Sequence, residues 1–236
     1  MVVICVIMNF QWSRQMVVMN NYIWLDFLFL SKEFSCMRKI FMIHLFFLLI
    51  SLLVYMEGIT KSGPDLVWNM MLALIAYDFA ILTRYFKRAW LFPVFFILWL
   101  VFYPNTFYMI TDIVHMHWVG DTLWNKTSLH LFMAFVPSIL FGVYCGIESW
   151  IIIRERLRLT WWLDLLVTGG LSFISSLAIY IGRYDRLNTW DLINNPSQVV
   201  EKLLATFQRE RLFFILGFTF IQFMSLVFMA RDDKKQ

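Results

Sequence analysis

The sequence predicts an all-α, polytopic membrane protein of six transmembrane helices, and three observations carry that prediction. Of its 236 residues, 61% are hydrophobic and 15% charged, an apolar share that a water-soluble domain has no means of covering. Several apolar runs approach the ~20 residues needed to cross a ~30 Å hydrocarbon layer. The 20 Lys and Arg collect at the ends of those runs. The net charge of +4 therefore reflects loop asymmetry and not a nucleic-acid footprint, and no nucleic-acid partner is expected.

Residues 1–36 fit this pattern poorly. Their apolar stretches, 2–10 and 22–30, are far too short to span, and no basic segment precedes the first as in a secretory signal. Met37-Arg38-Lys39 before an apolar run reads as the start of a bacterial inner-membrane protein. The expected organisation is a leader over 1–36, either an upstream extension or a loose interfacial arm, and a single six-helix membrane domain over 37–236. The spans are expected at 40–56, 66–82, 89–103, 129–153, 161–181 and 212–230. The third is short, because Pro104 removes a backbone donor and clashes with the preceding turn.

Orientation follows from the basic residues. Thirteen of the 20 Lys and Arg fall on the side of the two termini, among them Arg38, Lys39, Arg84, Arg88, Arg154, Arg156 and Arg158. The positive-inside rule then places both termini in the cytoplasm of a bacterial cell.

Two polar stretches break the apolar pattern, and both fall on the translocated side. In the first, Phe102 to Met116, lipid would not accept Pro104, Asn105, Thr106, Thr111, Asp112 and His115 unless protein or water surrounds them. Read as a short re-entrant or interfacial helix after the third span, capped by Asn105 or Thr106, it places Tyr108, Asp112 and His115 on one face. Asp112 and His115 are the candidate acid/base pair, since histidine titrates near neutral pH and a carboxylate orients it. The blander reading makes Asp112 the partner of an arginine from the later stretch. In that stretch, Arg183, Arg186, Asn188, Trp190 and Asp191 combine guanidinium forks with a headgroup-level tryptophan, which suits an anionic ligand. Equally, Arg183 or Arg186 could bridge to Asp112, Asp185 or Asp191 and pin the two loops together. Beyond it, Asn195 and Pro196 open an amphipathic interfacial helix before the sixth span, with Val199, Val200, Leu203, Leu204 and Phe207 at helical spacing.

Other features have plainer explanations. Cys5, Cys36 and Cys145 form no CxxC pair, and His115 and His117 cannot share a helix face, so no disulfide framework, metal or other cofactor is expected. Asp78, Glu148 and Asp164 lie inside spans near the basic loops, where Arg84, Arg154 or Arg158 can pair with them. Asn69, near the outer end of span two, is placed to hydrogen-bond between helices. Gly142-x-x-x-Gly146 marks close helix packing.

Pro104-Asn105, Tyr108, Thr111-Asp112 and His115, taken with Gly182-Arg183, Arg186 and Asn188-Thr189-Trp190-Asp191, resemble a bacterial membrane family catalogued as domain of unknown function 1361. Asn69 and Leu72-Ala73 are similar as well. The resemblance runs from about Met37 to the tail. It departs at Thr106-Phe107, where the family has Ala-Pro, at Leu187 for Trp and at Thr189 for Ser. It implies a multi-spanning bacterial membrane protein and brings no activity, cofactor or assigned site. Function therefore rests on the residues: an outward-facing pocket walled by Asn105, Tyr108, Asp112, His115, Arg183, Arg186, Asn188, Trp190 and Asp191 that binds or processes an anionic envelope or lipid-linked molecule. The alternatives are a transporter or channel with a route through Asp78, Glu148 and Asp164, and a membrane scaffold or assembly factor.

Overall fold

The structure is a computed structural model that describes residues 37–56, 65–86, 88, 90–115, 125–184, 194–205 and 209–229. The expected leader and the residues Arg186, Asn188, Trp190 and Asp191 lie outside that set. The described helices are α1 (Met37–Met56), α2 (Leu66–Tyr85), α3 (Leu91–Phe102), α4 (Pro104–Tyr108), a 3₁₀ helix (Met109–His115), α5 (Lys126–Leu157), α6 (Trp161–Tyr184), α7 (Pro196–Ala205) and α8 (Arg209–Met229). Among the described residues there is no strand. Six helical stretches are long and apolar enough to cross a membrane: α1, α2, Leu91–His115, α5, α6 and Arg211–Met229. The chain divides into two compact units, Met1–Leu45 and Phe46–Gln236, and everything below concerns the second.

Asp65 starts α2 by accepting the Trp68 amide on its carboxylate at 2.9 Å, which satisfies one of the orphan donors of the first turn. The helix then buries Met70, Ala73, Ala76, Tyr77 and Ala80, and the three alanines allow close approach to α3 and α5, its main neighbours. Asn125 caps α5 in the same way, through the Thr127 amide at 2.9 Å. With 32 residues, α5 is about 48 Å long at 1.5 Å per residue, longer than the hydrocarbon layer is thick. It stops at Arg158, whose left-handed backbone (φ 49°) closes the helix with a bond from its amide to Arg154 O at 3.2 Å.

Polar residues inside α6 are turned onto its own backbone. The hydroxyls of Thr168, Ser172 and Ser176 donate to the carbonyls of Asp164, Thr168 and Ser172 at 2.6–2.8 Å. From α8, Gln222 Nε2 donates to Ser176 Oγ at 2.7 Å, and this buried amide ties α6 to α8 where lipid gives no hydrophobic drive for association. α7 begins at Pro196, the position expected of a first-turn proline.

The third span differs most from its expectation. α3 ends at Phe102, yet Tyr103 keeps a right-handed helical backbone (φ −53°, ψ −41°) and Pro104 opens α4 directly. The helical path runs on to His115, ten or more residues beyond the expected end. Neither Asn105 nor Thr106 caps α4. Instead Asn105 Nδ2 donates to Phe102 O at 3.1 Å and Thr106 Oγ1 to Tyr103 O at 2.7 Å, and Thr111 Oγ1 repeats the pattern on Tyr108 O at 2.7 Å. Side-chain donors thus occupy carbonyls around the proline break, which is how such a break survives at membrane depth.

Two glycines of α5 receive this segment. A Cβ on Gly146 would lie 2.6 Å from Thr106 Oγ1 and 2.8 Å from Phe107 Cε2, and one on Gly142 would lie 2.6 Å from Met109 Sδ. The GxxxG spacing is therefore a notch for α4 and the start of the 3₁₀ helix. Trp99, Tyr103 and Phe107 form an aromatic ladder beside it, with Trp150 of α5 against Trp99.

Candidate functional site

Three elements converge at one end of the bundle: the start of α2, the 3₁₀ helix and the end of α6. A 3₁₀ helix has three residues per turn, so Asp112 and His115 eclipse one another on one face. That face meets Arg183, in the last turn of α6. Arg183 Nη1 donates to Asp112 Oδ1 at 3.4 Å, and Arg183 Nη2 lies 2.6 Å from His115 Nε2. Asn69, in the first turn of α2, donates through Nδ2 to the other Asp112 oxygen, Oδ2, at 2.9 Å. The Arg183 guanidinium also sits 6.0 Å from the centre of the Tyr108 ring.

Burial makes these contacts consequential. The Asp112 side chain is fully buried, and that of Arg183 is 18% exposed. An ionised carboxylate at such a place needs both a counter-charge and hydrogen bonds to remain charged. Arg183 supplies the first and, with Asn69, the second. A guanidinium carries five N–H donors. Among the described residues, Asp112 and His115 engage one each.

The structure thus brings together Tyr108, Asp112, His115 and Arg183, as the sequence reading expected of the two polar stretches, and realises the Arg183–Asp112 bridge. Asn105 lies on the same segment, half-buried, with its amide turned onto Phe102 O. The sequence marks Asn69 as an interhelical hydrogen-bonder and not as part of the site. Its signal in the sequence was a lone amide at the end of an apolar span, and its partner becomes visible only when α2 and the 3₁₀ helix are placed side by side.

The opposite, Arg-rich end is organised differently. Arg154 Nε lies 3.4 Å from Asp164 Oδ1, one of the pairings expected for the intramembrane acids. Arg84 pairs with Glu155 at 3.8 Å. Arg156 donates to Thr83 O and Phe86 O at the end of α2 and stacks 4.8 Å from the Phe92 ring, so it closes carbonyls that the helix leaves open. Glu148 and Cys145 are buried in α5. Among the described residues, no three His, Cys, Asp or Glu gather in a set able to hold a metal.

A family model described as "Protein of unknown function (DUF1361)" matches residues 68–225, a stretch that contains every residue of the Asp112–Arg183 cluster. No curated protein and no solved structure matches the chain.

Proposed function

The chain belongs to the DUF1361 family, and from that premise we propose that it is a multi-pass protein of a bacterial cytoplasmic membrane that holds an anionic envelope or lipid-linked molecule at the extracytoplasmic end of its bundle. One observation carries the reading: Arg183 is fixed by a buried carboxylate and an imidazole, and among the described residues these two take only two of its five N–H donors. A pre-set guanidinium fork matches the paired oxygens of a phosphate or carboxylate, and the ordering cost is met during folding and not on binding. In this reading Arg183 holds the anion. Asp112 and His115 are the titratable groups that set its position beside the anion. Asn105 and Tyr108 contribute walls, as do Arg186, Asn188, Trp190 and Asp191 from the stretch that follows α6. The transporter reading has less support, because Asp164, one of its three carboxylates, is held by Arg154.

The test is complementation of a strain lacking the gene. Arg183→Lys keeps the charge opposite Asp112 but loses the fork. It is expected to accumulate in the membrane like the wild type and to fail to restore the phenotype, as is His115→Ala. Full restoration by Arg183→Lys, or a fall in protein level that accounts for the loss, would overturn the proposal.

A further inference from the structure

We propose that Arg183 locks His115 as the neutral tautomer with its proton on Nδ1, that Asn69 positions Arg183 by way of Asp112, and that His115 consequently does not serve the site as a general base. The argument is one of donor and acceptor accounting. A guanidinium has five N–H groups and no lone pair to give. At 2.6 Å from Arg183 Nη2, His115 Nε2 must therefore be the acceptor, and its lone pair is occupied. The ring proton then belongs to Nδ1, because the bond made by one imidazole nitrogen decides the tautomer at the other. A base in this position has no lone pair to offer until Arg183 leaves.

The same accounting runs through the cluster. Asp112 Oδ2 accepts from Asn69 and Asp112 Oδ1 from Arg183. Each carboxylate oxygen has one donor, and the direction is the same at each step: Asn69 and Arg183 give, Asp112 and His115 Nε2 receive. The Asn69 bond fixes the rotation of the carboxylate, and the carboxylate fixes the fork that reaches Nε2. Asn69 is accordingly a positioning residue, three links from the histidine it orders. With the bonds of this network all running from Asn69 and Arg183 to Asp112 and His115 Nε2, what Arg183 can add is further N–H donors, which suits oxygen acceptors such as those of a phosphate or carboxylate. That last step, and only that step, rests on the proposed function.

The experiment is ¹⁵N NMR of the full chain, labelled at histidine and embedded in lipid nanodiscs at a pH well above the usual histidine range. Of the four histidines, His115 is identified by the signal lost in His115→Gln. The expected result is a protonated, pyrrole-type Nδ1 and an unprotonated, pyridine-type Nε2, the reverse of the tautomer that predominates in free imidazole side chains. A protonated Nε2 in the wild-type protein would overturn the proposal without any variant having to fold. Arg183→Leu is expected to move the proton to Nε2, and Asn69→Ala to mix the two tautomers. An unchanged His115 signal in both variants would remove Arg183 and Asn69 from their assigned roles. Because the spectrum is read without ligand, a failed complementation result leaves the tautomer standing, and a failed spectrum leaves anion binding by Arg183 standing.

Discussion

At the Arg-rich end of the bundle, Arg84 meets Glu155 at 3.8 Å and Arg154 meets Asp164 at 3.4 Å. At the other end a single arginine is shared between a fully buried carboxylate and an imidazole, and the carboxylate is shared again with an amide from a third element. The first arrangement is what topology and helix termination require: basic residues near the membrane surface, paired or closing carbonyls while keeping some contact with water. The second exceeds those requirements. An interior carboxylate costs several kcal/mol in desolvation unless fully satisfied, and an apolar residue at position 112 would carry no such cost. The contrast locates the candidate site at the end with fewer arginines.

Breaking one partner at each end puts numbers on that difference. Asp112→Ala strips Arg183 of its counter-charge and Asn69 of its acceptor, and is expected to cost about 3–5 kcal/mol, the range for halving a buried pair. Thermal denaturation of the purified protein in detergent should show it as the largest fall in melting temperature of the set. A change no larger than that of a surface ion pair would erase the contrast. Gly146→Ala tests the packing that carries the 3₁₀ helix into place. Its Cβ would meet Thr106 Oγ1 at 2.6 Å and Phe107 Cε2 at 2.8 Å, and the overpacking should cost about 1–3 kcal/mol. The same substitution at Gly170, which has nothing within 4 Å, is the control and should be nearly neutral. Smallest of the three is Glu155→Ala at the Arg-rich end. The Glu155 side chain is 44% exposed, and loss of its bridge to Arg84 should cost under about 1 kcal/mol. A larger effect would mean that this end, too, is built around an essential pair.

The spans could be read from hydropathy because each needs only length and an apolar sequence, and five of the six expected ranges lie within a few residues of the observed helices. The third was read too short for a physical reason. Asn105, Thr106 and Thr111 count as polar in any hydropathy sum, yet each donates its side chain to a carbonyl three residues back, so little of that polarity faces outward. Local bonds of this kind leave no trace in composition. The site was legible in part. Asp112 and Arg183 stand out as charged members of the two polar stretches, and their pairing is among the readings open to them. The contact of Arg183 with His115 Nε2 could not be read, because it depends on how the last turn of α6 docks against the 3₁₀ helix, 68 residues away in the chain. Nor could the partner of Asn69, which lies 43 residues away.

That distance along the chain gives the cluster an order of assembly. A ribosome makes Asn69 first, Asp112 next and Arg183 last, 71 residues after Asp112. The bonds that close the proline break of the third span lie within that span itself, and Asn69 precedes that span in the chain. The counter-charge arrives only with the fifth span. Docking of α6 is then the event that completes the cluster, so the candidate site closes only after its first two elements have been made.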